Sequence, residues 1–220
     1  MNVFLTGATG YIGNRLALSL ADMGYRVHAL YRSEEKAKSL KNHSNIVLFK
    51  GDILDAKSLE LAMLGCRQVF HVAACAKAWE KDPSTFYRLN VEGTLNVLNV
   101  AQKLNIEKIV FTSTAGIFGP SEDGSFTDET SGISGFFTDY EKSKKTAEDI
   151  IRQRAGEGQH IVIVNPTRVY GPGLLSESNG VTRMVKLYLE GKWHFIPGNG
   201  KSIGNYAFVD DVVQGHILAM

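Results

Sequence analysis

The sequence predicts an α/β protein built on a doubly wound parallel sheet of the Rossmann type. Three observations favour this fold. Short β-branched runs alternate with longer helical stretches over the first part of the chain. The runs are continuously apolar, which is typical of strands covered by helices on both faces. A glycine-rich turn, TGATGYIG, follows directly after the first run. Right-handed crossovers then fix how the sheet is wound.

The first half of the chain supplies three strands and three helical segments. The first strand is VFL, and apolar residues at helical spacing place the first helix over Tyr11 to Met23. The strand RVHALY, the amphipathic segment SEEKAKSLK and the strand NIVLFKGD come next. Asp55 is then placed to cap the helix AKSLELAML, because a side-chain carboxylate accepts hydrogen bonds from the first free amides of a helix.

The second half of the sheet continues the same alternation. The strand QVFHVAA leads into a long helix from about residue 83 to 104, and the strand KIVFTST follows. A helix over about residues 139 to 154 leads to the strand HIVIVNP. These units complete a series of β–α repeats, which is the sequence pattern of a parallel sheet with helices on both faces.

The remaining residues predict a smaller region beside the sheet. We expect a dinucleotide-binding domain over residues 1–170 and a partial substrate-binding lobe over residues 171–220. GPGLLSESNG is typical of a loop, VTRMVKLYLEGK of a helix, and HFIPGNGKSIGNYAFVDD of turns. The chain stops inside a predicted helix, so we expect either that the C-terminal part of this lobe is missing or, as the alternative, that the lobe is only partly built. Five large apolar side chains are candidates either for substrate contact or for the core: Trp79, Phe136, Phe137, Met184 and Trp193.

Composition excludes several classes of partner. The 220 residues carry a net charge of +1 and are 44% hydrophobic, so no basic surface for nucleic acid is expected. There is no apolar run long enough for a membrane helix and no leader-like N-terminus, which predicts a cytoplasmic protein without a membrane partner. Cys66 and Cys75 are predicted to be reduced, buried thiols. No metal site is expected from their spacing.

The glycine-rich turn predicts a dinucleotide site. Gly7 would permit the tight turn, Gly10 the approach of a pyrophosphate, and Gly13 close packing of the helix. The helix N-terminus then presents unpaired amides and partial positive charge to the phosphates. A glycine-rich turn without a ligand is the alternative. The positions expected to contact the cofactor here are Gly7, Thr9, Gly10, Tyr11, Ile12 and Gly13.

The ends of the second and third strands bear on the choice of cofactor. Folds that prefer NAD carry Asp or Glu at the end of the second strand, whereas this chain has Tyr31 and Arg32. A guanidinium binds a 2′-phosphate, so we expect NADP(H), with NAD(H) as the alternative. Asp52, with its neighbour Ile53, is placed to reach the adenine edge. Arg32 could instead be a solvated residue, and the Asp52 loop could serve to cap the next helix.

A tyrosine and a lysine four residues apart predict the reacting end of the site. Tyr140 and Lys144 share a helix face, and a nearby cation, joined by the nicotinamide ring, would lower the pKa of the phenol. The fifth strand ends in Ser113 and Thr114, at the edge where such sheets bind ligands. Asn90 falls inside the long helix, where it could hold a backbone group or a water. Exposed Tyr140, Lys144 and Asn90 side chains are the alternative.

Taken in order, these motifs resemble the extended short-chain dehydrogenases/reductases, the NAD-dependent epimerase/dehydratase superfamily. The matching segments are TGATGYIG, GDILD, FHVAA, NVEGT, FTSTAGIFG, YEKSK, NPTRVYGPG and FVDD. The segments FHVAACAKAWEKDPSTFYRLNVEGT and YAFVDDVVQGHILA are most similar to the dihydroflavonol-4-reductase-like branch. The resemblance implies an active triad of Thr114, Tyr140 and Lys144, assisted by Asn90, and favours Thr114 over Ser113. It also implies cofactor contacts at Tyr140, Lys144, Ala73, Ala74, Pro166, Thr167 and Val169.

The resemblance also ranks the possible activities. Dehydratases of the superfamily place an Asp-Glu pair directly after the active-site threonine, where this chain has Ala115 and Gly116. We therefore expect an NADP(H)-dependent oxidoreductase that reduces a carbonyl of a small molecule, with Tyr140 as proton donor. The alternatives are an NAD-dependent sugar-nucleotide epimerase and a non-catalytic NADP(H)-sensing regulator, a class that typically lacks the tyrosine or the lysine. A homodimer paired through the two long helices is a further expectation.

Overall fold

The computed structural model describes residues 1–121, 124–131, 135–174, 179–196 and 198–220. Within these residues, six parallel strands form the central sheet in the order β3-β2-β1-β4-β5-β6. Their bounds are β1 Asn2–Thr6, β2 Arg26–Tyr31, β3 Ile46–Lys50, β4 Gln68–His71, β5 Lys108–Thr112 and β6 Ile161–Val164. The strand order reverses between β1 and β4, and doubly wound sheets bind ligands at that point. The predicted Rossmann fold is confirmed.

Helices cover both faces of this sheet. Their bounds are α1 Tyr11–Asp22, α2 Glu34–Ala37, α3 Ala56–Met63, α4 Ser84–Tyr87, α5 Gly93–Lys103, α6 Asp139–Gly156, α7 Gly180–Leu189 and α8 Val209–Ala219. Short 3-10 turns occupy Lys38–Leu40 and Ala115–Phe118. Two further strands, β7 (Arg168–Tyr170) and β8 (Tyr206–Phe208), pair in parallel as a separate small sheet.

The core consists of two apolar layers, one on each face of the sheet. Successive residues of β1 alternate between them: Phe4 packs with α3, α5 and α6, whereas Leu5 packs with α1 and α8. Both side chains are fully buried. This two-sided burial explains why the strands are continuously apolar, because each residue of a central parallel strand faces a helix.

Local capping sets where the helices begin. Asp55 accepts a hydrogen bond from the Lys57 amide at 3.0 Å and caps α3, as the sequence predicts. Thr138 and Glu141 form a reciprocal capping box at the start of α6, the helix that carries Tyr140. By contrast, α1 begins at Gly10, which has no side chain to cap the helix, so its first amides face the glycine-rich turn.

The predicted helix over residues 83–104 is present but is not regular. Arg88–Glu92 forms a π-helical segment that joins α4 to α5. Thr94 lies just after it and donates its hydroxyl hydrogen to the Asn90 carbonyl at 2.7 Å. Such one-turn expansions of a helix are often found at functional sites. Here the expansion carries Asn90.

The C-terminal region is less buried than the sheet. Helix α7 buries no side chain within the part of the chain that the structure describes. Helix α8 packs on α1 and buries Val209, Val213 and His216. Residues 175–178 of the predicted loop and residue 197 lie outside the described residues. The division at residue 170 stays a prediction. Across the described ranges, none of the helices combines the length and the apolar character needed to cross a bilayer.

Candidate active site

A cleft of about 1600 Å³ lies along the carboxyl ends of the sheet strands. Most of the predicted site residues line it: Gly7, Thr9, Gly10, Tyr11, Ile12, Gly13, Arg32, Ile53, Ala73, Ala74, Thr114, Tyr140, Pro166, Thr167 and Val169. Asp52, Asn90 and Lys144 are not among the lining residues. The sheet edge thus brings together residues that are distant from one another in the chain, whereas Asn90 and Lys144 are buried behind the lining and Asp52 is partly exposed beside Arg32.

The glycine-rich turn leaves no space for side chains. Gly7 has a φ of +74°, and a Cβ atom there would lie 2.7 Å from the Ala73 amide nitrogen. A Cβ atom on Gly13 would lie 2.1 Å from the Gly7 carbonyl oxygen. Because real Cβ atoms do not approach other atoms so closely, both positions require glycine. Next to this turn, Tyr11 donates its hydroxyl hydrogen to the Gly171 carbonyl at 2.8 Å, which closes one wall of the cleft.

Basic side chains gather where β2 ends. Arg32 is about two-thirds exposed at 66%, and its Nη1 lies 3.5 Å from Asp52 Oδ2. Asp52 also accepts a hydrogen bond from the Leu54 amide at 3.0 Å, so its carboxylate shapes the loop before α3 and faces Arg32. Lys36 and Lys38 line the same part of the cleft, although sequence analysis did not single them out. Their proximity in sequence to Arg32 was the available signal.

The other end of the cleft holds two hydroxyl groups and a phenol. Thr114 Oγ1 accepts a hydrogen bond from the Gly116 amide at 3.2 Å. Burial raises the pKa of Tyr140 to about 12, and side-chain hydrogen bonding with Thr114 acts in the opposite direction. Ser113 lines the cleft with 4% of its surface exposed, and its Oγ has no hydrogen-bond partner among the described residues. A buried hydroxyl of this kind is suited to a ligand atom.

The predicted effect of Lys144 on the pKa of Tyr140 stays a prediction. Lys144 is 1% exposed, donates from Nζ to the Thr112 carbonyl at 2.8 Å, and lies 4.0 Å from the centre of the Phe111 ring. Its ammonium is therefore directed towards β5, and burial is the largest influence on the pKa of Tyr140, which it raises. The spacing of four residues placed both side chains on one helix face but could not specify where the long lysine side chain points.

Asn90 supports the site from behind. Its side chain is fully buried at 0% exposure. Asn90 Oδ1 accepts from the Cys75 amide at 2.7 Å, and Nδ2 donates to the Cys75 carbonyl at 3.2 Å and to Ser143 Oγ at 2.9 Å. Ser143 in turn donates to the Tyr140 carbonyl at 2.7 Å. The backbone-holding role expected for Asn90 is thus seen in its contacts with Cys75.

The large apolar candidates divide between two places. Met184 lines the main cleft. Trp79, Phe136 and Phe137 line a separate hollow of about 460 Å³ between the segment before α4 and the start of α6. Trp193 stacks on Phe195, with ring centres 4.3 Å apart. The described residues contain no group of three or more His, Cys, Asp or Glu side chains placed to hold a metal ion.

The residues present fit a dinucleotide. The glycine turn leaves backbone exposed beside the uncapped start of α1, which suits a pyrophosphate. Arg32 and Lys36 supply positive charge at one end, and the unpartnered Ser113 hydroxyl faces the other. Arg32 and Thr114 follow the ends of β2 and β5, which are three places apart in the sheet, or about 14 Å at the usual strand spacing.

Comparisons with known proteins agree with this geometry. Residues 3–220 match the model of the NAD dependent epimerase/dehydratase family. A protein of Synechocystis sp., provisionally assigned as a dihydroflavonol 4-reductase, is 37% identical over 218 residues, which cover 98% of this chain and 62% of that protein. Cinnamoyl-CoA reductase 1 of Petunia hybrida is 32% identical over 231 residues, which cover 98% of this chain and 68% of that protein. The chain therefore spans less than two thirds of the length of the Synechocystis relative.

The same fold occurs in a solved epimerase structure. UDP-glucose 4-epimerase of Thermus thermophilus, determined in complex with NAD, superimposes with a TM-score of 0.86 at 27% identity, covering 100% of this chain and 74% of that one. The match to the family model extends over almost every residue. The chain therefore belongs to the NAD dependent epimerase/dehydratase family, within the extended short-chain dehydrogenases/reductases.

Proposed function

We propose that the protein is an NADP(H)-dependent oxidoreductase that reduces a carbonyl group of a small molecule. The observation that carries this proposal is the placement of Thr114 and Tyr140 in one cleft with Arg32, across the glycine turn. This arrangement provides a proton donor, a hydroxyl to orient the substrate oxygen and a cation for a phosphate. The reductases among the curated relatives are consistent with it.

Arg32 supports NADP(H) over NAD(H). A carboxylate at the end of β2 would repel a 2′-phosphate, whereas Arg32 and Lys36 attract one. Asp52 lies against Arg32 and holds the guanidinium at the wall of the cleft. Both basic side chains are solvent-accessible, so a 2′-phosphate would not have to displace a buried ion pair.

Residues of this chain would donate the proton and position the substrate oxygen that receives it. Tyr140 would give its phenolic proton to the substrate oxygen, and its raised pKa keeps it protonated at neutral pH. Thr114 would donate a hydrogen bond to the same oxygen and stabilise the charge that develops there. Lys144 adds positive charge behind this pair, and Asn90 fixes the backbone of Cys75 at the wall. A bound nicotinamide would supply the hydride.

One titration and one assay test this proposal. NADPH and NADH are titrated calorimetrically against the parent, Arg32→Ala and, as a control, Arg67→Ala, whose side chain pairs with Glu107 away from the cleft. We expect an NADPH preference that falls by about tenfold or more in Arg32→Ala, since a charge-assisted hydrogen bond contributes roughly 1.5–3 kcal/mol. Arg67→Ala should bind like the parent. Equal binding of both nucleotides by the parent contradicts the phosphate role.

The assay uses aryl aldehydes and ketones as trial substrates. Tyr140→Phe should lower kcat by about 10²-fold or more while NADPH affinity stays within twofold, since only the proton donor is lost. NADPH binding without turnover by the parent across these substrates would instead favour a non-catalytic regulator. Pairing of two copies through α5 and α6 stays a prediction, to be checked by light scattering.

A sugar-nucleotide epimerase is the second candidate. Arg168 and Arg183 line the part of the cleft next to Thr167 and Met184 and could hold a diphosphate. The structural match to a UDP-glucose 4-epimerase agrees with this possibility. Tight NADH binding together with saturable UDP-glucose binding that is lost in Arg183→Ala would favour this activity over carbonyl reduction.

A further inference from the structure

A buried carboxylate lies one helical turn behind the lysine of the site. Glu148 follows Lys144 by four residues on α6, so the two side chains share a face. Only 1% of the Glu148 surface is exposed. Burying an ionised carboxylate is costly unless hydrogen bonds and an opposite charge compensate. The partners of Glu148 therefore indicate its role.

One partner of Glu148 connects it to the strand end that carries Thr114. Asn165 Nδ2 donates to Glu148 Oε1 at 2.6 Å and to the Thr114 carbonyl at 3.3 Å. An amide nitrogen carries two hydrogens, so both bonds can exist together. Asn165 also directly precedes Pro166, the first residue of a cleft-lining segment. Glu148 thus holds the side chain of Asn165, which links α6 to the segment after β5 and to the cleft-lining segment that begins at Pro166.

The second partner is the charge of Lys144. Burial lowers the pKa of Lys144 to about 7, and the Glu148 carboxylate opposes that change. The other titratable groups around Lys144 are Tyr140 on α6 and His71 on β4; His216 on α8 contacts Thr112, whose carbonyl accepts from Lys144. Burial lowers the pKa values of both histidines, so they stay neutral near pH 7. Glu148 is therefore the negative charge that supports the ammonium.

We propose that Glu148 is a positioning residue of the active site: its carboxylate holds the Lys144 ammonium in its charged form and, through Asn165, fixes the segment that carries Thr114. Glu148 does not line the cleft and would not touch a ligand. Arg152 also pairs with Glu148 from the exposed side at 3.4 Å, and the neighbouring carboxylate Asp149, exposed and paired with Lys145, serves as a matched control. The inference rests on the proposed function in one respect: that function is what gives Lys144 and Thr114 a role in the reaction.

The direct test follows the protonation of Lys144 without any ligand. Protein labelled with ¹⁵N-lysine is titrated by NMR, and the Lys144 signal is assigned by its absence in Lys144→Met. Glu148→Gln keeps an oxygen that accepts from Asn165 but removes the charge. We expect its Lys144 titration midpoint to move down by about one pH unit relative to the parent, the size typical of one nearby charge. Asp149→Asn, which removes an exposed carboxylate from the same helix, should leave the midpoint within a few tenths of a unit.

A second readout links this effect to binding. The NADPH dissociation constant is measured from pH 5.5 to 9 for the same variants. If charged Lys144 contributes to binding, NADPH affinity should weaken as pH rises and Lys144 loses its proton. In Glu148→Gln this weakening should begin at a lower pH, by the same amount as the shift of the Lys144 midpoint measured by NMR. A purely structural role would weaken binding equally at every pH.

The outcomes separate the two proposals. An unchanged Lys144 midpoint in folded Glu148→Gln overturns the inference about Glu148. If that variant does not fold, the titration of the parent gives the answer. A Lys144 titration midpoint below about pH 5 in the parent means that Glu148 does not keep Lys144 charged. Failure of the parent to bind either nucleotide contradicts the proposed function, whereas the NMR titration still reports on Glu148.

Discussion

At the scale of single residues, buried polar groups beside the cleft form one directed chain of hydrogen bonds. The Ala73 amide donates to Thr6 Oγ1 at 3.1 Å, and the Thr6 hydroxyl lies 2.7 Å from His71 Nδ1. His71 Nε2 lies 3.0 Å from Thr94 Oγ1, whose hydroxyl donates to the Asn90 carbonyl at 2.7 Å. A carbonyl can only accept, so the Thr94 hydroxyl donates to Asn90 and accepts from the Nε2–H of His71. Because burial keeps His71 neutral near pH 7, its Nδ1 accepts from the Thr6 hydroxyl.

This network predicts acid sensitivity. Burial lowers the pKa of His71 from its ordinary value of 6.5 to about 3. Between these two values the unfolded chain binds more protons than the folded one, so stability falls as pH decreases from 6.5 towards 3. The loss attributable to His71 is on the order of 4 kcal/mol. Urea unfolding of the parent and of His71→Gln at pH 7, 5 and 4 measures it.

His71→Gln should have lower stability at pH 7 but a shallower decline in acid. His43→Gln is the control, because His43 lies at the surface beside Asp22. Parallel pH curves for the parent and His71→Gln would show that His71 is not the group that binds the proton on unfolding.

At the scale of elements, two helical glycines with different surroundings give a matched pair. A Cβ atom on Gly13 of α1 would meet the Gly7 carbonyl oxygen, whereas one on Gly156 of α6 would meet nothing within 4 Å. Gly13→Ala should therefore displace the turn, lowering stability by roughly 1–3 kcal/mol and weakening dinucleotide binding. Gly156→Ala should raise stability by up to about 1 kcal/mol, because alanine favours the helix.

Thermal unfolding and NADPH titration of both variants check this pair. If Gly13→Ala bound NADPH as well as the parent, close packing between α1 and the glycine-rich turn would not be the reason for glycine at this position.

The elements themselves were predictable because their signals are local. Asp55 caps α3 and apolar runs mark the strands, since each depends on residues within a few positions of one another. The π-helical segment around Asn90 was not predicted, because its carbonyl is held by Thr94, and Thr94 in turn by His71 from a distant strand. The direction of Lys144 depends likewise on a carbonyl from β5. Spacing within one helix cannot report such long-range partners.

At the scale of the whole molecule, the two ends of the chain close over the sheet. Arg15 of α1 donates from Nε to Asp210 of α8 at 2.8 Å, and His216 of α8 meets Thr112 Oγ1 at 2.7 Å. The first contact joins two helices and the second joins α8 to β5, and each links residues more than 100 positions apart. The cleft thus rests on the sheet and its two core layers, and a buried charge next to it affects the stability of the entire domain.

Lys144 is that charge, and its cost should appear in the pH dependence of stability. Its pKa of about 7 lies below the ordinary value of 10.5, so between these values the unfolded chain binds more protons and the stability of the parent rises with pH. Below pH 7 the folded protein carries the full cost of a buried ammonium. Lys144→Met keeps the volume and removes that cost, but it also removes the charge that compensates Glu148. The free energy of unfolding of the parent should therefore rise relative to that of Lys144→Met by several kcal/mol between pH 6 and pH 10.

Urea unfolding at pH 6, 8 and 10 measures this difference, with Lys142→Met, on the exposed side of α6, as the control. The control should follow the parent at every pH. Because Lys144 is also a proposed working residue, Lys144→Met should lose NADPH affinity. A stability difference between the parent and Lys144→Met that stayed constant from pH 6 to pH 10 would mean that the hydrogen bond from Lys144 to the Thr112 carbonyl, and not the buried charge, sets what Lys144 contributes to the fold. In that case Lys144 would hold β5 and α6 together in addition to any role at the cleft.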